Sequence, residues 1–89
     1  MIVKISEYDD EDMSVEYWVY GLSLNQMKFI NDNLEEKTTV DDDILKIKMY
    51  FSDDLYPFQS EIAQLRLNDF IAREEIEMNV FLSSFLEDM

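Results

Sequence analysis

Eighty-nine residues make one small domain, 1–89, whose core is marginal on surface-to-volume grounds; an apolar fraction of 47% with 13% aromatic residues excludes a disordered acidic tail. Twenty-one acids face seven bases and no histidine, a net charge of −14, and self-repulsion on that scale costs stability unless the field is used. The absence of cysteine excludes disulfides, a thiolate nucleophile and a zinc site built on sulfur.

Ile2 to Ile5 is short, apolar and β-branched, which predicts a strand. The run Glu7-Tyr8-Asp9-Asp10-Glu11-Asp12 predicts a solvated loop. Val15 to Tyr20 predicts a second strand, with a helical turn as the alternative. Gly21 ends that element, and Ser23 opens a helix with Gln26 in the capping-box position. Leu24, Met27, Ile30 and Leu34 form its apolar stripe.

Thr39 and Asp42 repeat the start signal before Val40, Ile44, Ile47 and Phe51, with acids in front and Lys46 and Lys48 behind. These features favour a helix over 40–51. A strand is the alternative, because Leu45, Ile47, Met49 and Phe51 alternate with Lys46, Lys48 and Tyr50.

Beyond Pro57 the pattern is most helical. Ala63, Leu67, Phe70, Ile71, Met78, Phe81, Leu82 and Phe85 share one face, interrupted only by Glu74. A break is expected between Arg73 and Glu77. Ile62, Leu65, Ile76 and Val80 make a second stripe, and a helix apolar on two faces is central or covered by a partner. The expected fold class is therefore α+β: short N-terminal strands, a helix-rich remainder and a long C-terminal helix. The expected state is a homodimer joined through Ile62, Leu65, Ile76 and Val80.

Catalysis finds few candidates. Without histidine or cysteine the chain lacks the commonest general base and the best nucleophile. A single glycine cannot build a phosphate loop. Carboxylate pairs could hydrolyse a glycoside in principle, but with so many acids some pairs lie close by chance. No enzyme and no cofactor are expected.

A calcium loop needs oxygen ligands at alternating places, glycine in the sixth and glutamate in the twelfth. Counting from Asp41 puts Leu45 fifth and Lys46 sixth; counting from Asp10 puts Ser14 fifth and Val15 sixth. No specific metal site is expected. No apolar run approaches the ~20 residues that cross a bilayer, anionic lipid would repel the chain, and the N-terminus lacks the basic start of a signal peptide. The expected location is the cytoplasm.

The acids are unevenly spread. Six of them (Glu7, Asp9, Asp10, Glu11, Asp12 and Glu16) lie between Lys4 and Lys28 with no base among them. Glu74, Glu75, Glu77, Glu87 and Asp88 follow Arg73, again uncompensated, and Asp41-Asp42-Asp43 and Asp53-Asp54 add two clusters. Solvated loops and helix starts account for about half of these positions. The sharper reading is that carboxylates stand in for phosphates. Duplex DNA carries one charge per ~1.7 Å, so −14 corresponds to roughly 24 Å of duplex. Such a surface, with Tyr8, Tyr17, Tyr20 and Tyr56 adding contact area, would fill a lysine- and arginine-lined groove without reading bases.

In length, charge and composition, with acid runs at Glu7–Asp12 and Asp41–Asp43 among aromatic segments, the chain resembles the small acidic DNA-mimic proteins of bacteriophages. It looks most like the Arn-type anti-restriction proteins of T-even phages. That resemblance implies a dimeric α/β protein of the host bacterial cytoplasm that blocks a restriction nuclease such as McrBC. Catalytic residues are not part of it. The leading expectation is thus inhibition of a DNA-binding host defence protein without direct nucleic-acid binding. The alternative is an acidic adaptor or antitoxin-like protein that neutralises one basic partner.

Overall fold

A computed structural model describes residues 1–52 and 67–89. Four strands and two helices follow one another as hairpin, helix, hairpin, helix. The strands are β1 (Ile2–Asp9), β2 (Ser14–Tyr20), β3 (Lys37–Asp41) and β4 (Ile44–Tyr50). They form one antiparallel sheet in the order β1-β2-β4-β3. The helices are α1 (Leu24–Asn33) and α2 (Leu67–Leu86).

The sheet is written in residues of period two. Val15, Tyr17 and Val19 of β2, with Leu45 and Ile47 of β4, point to one side and are buried. Both helices cover that side: Met27 and Ile30 of α1, and Met78 and Leu82 of α2, complete the core with Val3 and Leu22. The helices meet where the rings of Phe29 and Phe85 pack at a tilt, their centres 5.4 Å apart. Phe51, leaving β4, closes the near end on Phe70 at 6.0 Å.

Several expectations are corrected. Residues 40–51 are not a helix but most of the β3–β4 hairpin. The period-two alternation prevails because it gives Leu45 and Ile47 to the core and Lys46 and Lys48 to the other face. Asp42 starts no helix either. It turns the hairpin with φ of 60°, a left-handed conformation that aspartate tolerates better than most side chains. The remainder is therefore not helix-rich: described strand and helix are about equal in extent.

The first acidic run is also less of a loop than expected. β1 continues through Glu7, Tyr8 and Asp9, with a bulge between Ile5 and Glu7, and only Asp10–Met13 form the turn. Pairing to the β-branched and aromatic β2 outweighs the poor strand propensity of the acids. In α1 the capping box is present in full, Gln26 N donating to Ser23 Oγ at 3.1 Å and Ser23 N to Gln26 Oε1 at 2.9 Å. Leu24 of its expected stripe is exposed, however. No break occurs at Arg73–Glu77, where α2 runs straight through.

Candidate functional site

Cross-strand register places the acids. Ser14 lies opposite Tyr50 and Val19 opposite Leu45, so the turns of the two hairpins sit at opposite ends of the sheet. Five residues of strand at ~3.3 Å each separate them by at least ~17 Å. One end carries Asp10, Glu11 and Asp12, with Glu7 and Asp9 leading into them; the other carries Asp41, Asp42 and Asp43. All are exposed.

Some of these carboxylates already have internal work. Asp9 Oδ1 accepts from the backbone N–H of Glu11 at 2.8 Å and shapes the turn. Asp12 accepts from the Ser14 hydroxyl and pairs with Lys48 at 3.1 Å. The hydroxyl first, and then the ammonium, hold its carboxyl below the usual carboxylate range. Asp41 pairs with Lys46 at 3.0 Å, which raises that lysine. Glu16 accepts from the indole N–H of Trp18 at 2.8 Å.

The α2 acids divide. Glu74, which interrupts the apolar stripe, accepts from the buried Tyr17 hydroxyl at 3.2 Å. Glu75 accepts from the backbone N–H of Ile5 at 2.8 Å, satisfying a donor beside the bulge and blunting an edge strand. Both are half-buried, so of the three expected here only Glu77 stands exposed. Asp53, Asp54, Ile62 and Leu65 lie outside the described residues, as does Tyr56. Tyr17 is a core residue and offers no contact area; Tyr8 is exposed and Tyr20 half-buried.

Burial, followed by the Glu74 charge, pushes the Tyr17 phenol well above its ordinary value. A phenol whose folded value is raised contributes stability below its unfolded value near pH ~10, and loses it as pH climbs beyond that. Wild type should therefore lose stability steeply above pH ~10, and Tyr17→Phe should show a shallower alkaline limb. Urea unfolding at a series of alkaline pH values checks this; parallel limbs would refute it. At neutral pH the same variant should cost about 1–2 kcal/mol for the lost charge-assisted bond.

The second α2 stripe is open. Ile76 and Val80 are 64% and 65% exposed and, with Met1 and Ile2, line a shallow groove of about 320 Å³. Glu75 and Asn79 edge it.

Sequence reasoning missed the outer face of the sheet, which no described helix covers. Register sets Glu7, Glu16, Lys48 and Lys37 side by side in one row across all four strands. Lys4, Trp18, Lys46 and Thr39 form the next row. Four of the chain's seven bases thus gather on one face. Lys46 lies 4.5 Å from the centre of the Trp18 ring and Lys48 5.4 Å from that of Tyr50, cation–π contacts that hold both ammoniums close to the sheet. The alternation at Lys46 and Lys48 was a signal; the placing of Lys4 and Lys37 on the same face, at its two edges, needed the register.

Among the described residues no group of three or more acids is placed to hold a metal ion, and no helix is long and apolar enough to cross a membrane. Residues 2–88 match a family of unknown function, DUF5750, and the chain belongs to that family. No curated protein matches it significantly.

Proposed function

We propose that this DUF5750 member is an acidic decoy, which occupies with its carboxylates a basic protein surface that otherwise holds DNA. The observation that carries the reading is the pair of acidic turns at opposite ends of one rigid sheet, while the bases lie back between them on the sheet face. A rigid body with negative charge at both ends can bridge two basic walls of a groove, where a flexible acidic tail would pay to order itself. The target we infer is a host defence nuclease of the restriction type, McrBC being the one the phage-protein resemblance implies. No catalysis is part of the proposal.

The test is competition. Labelled duplex DNA bound to a candidate nuclease should be displaced by the protein at low salt, while the protein alone shifts no DNA. Displacement should weaken steeply between about 50 and 200 mM salt, as counterion release and screening require. Strong binding to the nuclease with its DNA affinity unchanged would end the decoy reading.

A second reading has its own support. The groove formed by Met1, Ile2, Ile76 and Val80 is an apolar patch with Glu75 and Asn79 also in its lining, and exposed apolar anchors beside polar groups suit one specific protein partner. An adaptor that neutralises a basic, non-DNA-binding protein would depend on that patch more than on the turns.

A further inference from the structure

We propose that the outer face of the sheet takes a second copy of this chain, face to face, about a two-fold axis lying between the sheets and parallel to the strands. The starting point is a pair of local costs. Glu7 sits directly opposite Glu16, and Lys37 directly opposite Lys48; like charges in such positions destabilise a sheet. Read across the strands the row is acid, acid, base, base. A pattern of that kind is self-complementary under one operation. Rotation about an axis along the strands, between β2 and β4, carries Glu7 over Lys37 of the second copy and Glu16 over its Lys48. In the next row Trp18 comes over Lys46 of the second copy, repeating between chains the ring contact made within each. A two-fold axis along the row would set Glu7 on Glu7 and is excluded by charge.

The balance of charge supports the same face. Lys4, Lys37, Lys46 and Lys48 there meet Glu7, Asp9, Glu16 and the Asp12 and Asp41 that reach Lys48 and Lys46, so the face is close to neutral on a molecule of −14. Two such molecules repel each other most where their acids are exposed and least here. Lys37 has no ion pair among the described residues, which leaves its ammonium for a neighbour. Antiparallel sheets stack at ~10 Å, and this packing leaves the acidic turns on the perimeter. The proposal stands apart from the decoy reading and does not depend on it.

Sedimentation equilibrium of the full chain at ~150 mM salt, in a protein series reaching roughly 100 µM, tests it. Wild type should dimerise. Glu7→Lys and Lys37→Glu each place like charges face to face twice per dimer, so each should weaken association by about tenfold or more. Mixed in equal amounts, the two variants should associate with each other, because both pairs are then attractive. Circular dichroism of each variant should match wild type, both side chains being exposed. A monomeric wild type throughout the series would overturn the proposal. So would dissociation by Ile76→Ser with Val80→Ser while both charge variants remain dimers, which would move the interface to α2.

Discussion

Leu82→Ala should cost about 2–5 kcal/mol of stability, enough to leave so small a domain barely folded at 37 °C. Leu82 has no solvent exposure and is the one fully buried side chain described on α2, Met78 being buried less completely. It belongs to the core cluster through which the helix packs on the sheet, with Val3, Tyr17 and Leu22 among its members. Truncation removes three heavy atoms and leaves a void that a two-layer structure cannot close without tilting the helix. Tilting would pull Glu74 from Tyr17 and Glu75 from Ile5, bonds that join α2 to two different strands. Ile76→Ala deletes as much hydrocarbon six residues earlier, yet at 64% exposure it should cost less than about 0.5 kcal/mol. Urea denaturation of the two variants decides the matter. Equal losses would mean that the second stripe is covered, by a partner or within the chain, and that the division of α2 into a core face and an open face is wrong.

That division was half legible in the sequence. The spacing of Met78, Leu82 and Phe85 marks the core stripe because burial against a sheet needs one helix face and no more. Glu74 looked like an interruption of it. It is instead the acceptor for a buried phenol, and the identity of a partner 57 positions away is not written in local periodicity. The capping box at Ser23 was legible for the opposite reason, since donor and acceptor lie within one turn. Residues 40–51 carried two periods at once. The choice between them rested on β2, whose edge offers β4 a full ladder from Ser14 to Val19, and pairing of that kind is non-local. The same non-locality hid the lysine face, because Lys4 and Lys37, on opposite edges of the sheet, join Lys46 and Lys48 on one face only when four strands are in register. Charge counting therefore saw the acids, which cluster in sequence, and not the bases, which cluster in space.

Neutralising both acidic turns should weaken target binding by about two orders of magnitude at low salt, and the two ends should contribute independently. The substitutions follow from the geometry. Asp9, Asp12 and Asp41 shape a turn or pair with a lysine, so changing them mixes folding with binding. Asp10→Asn with Glu11→Gln at one end, and Asp42→Asn with Asp43→Asn at the other, leave those contacts in place. Exposed pairs are worth about 0–1 kcal/mol each, so a single change should alter affinity by less than about fivefold, and each double change by about tenfold. At least ~17 Å separates the ends, beyond the ~8–10 Å reach of charge near physiological ionic strength, so the two losses should multiply. Removing charge from a −14 chain relieves repulsion, and thermal stability should hold or rise. Titration calorimetry or fluorescence anisotropy of the quadruple variant, read beside its melting curve, makes the comparison. Should it bind as well as wild type while Ile76→Ser alone abolishes binding, the acids are a solvated surface and the apolar groove beside β1 is the site.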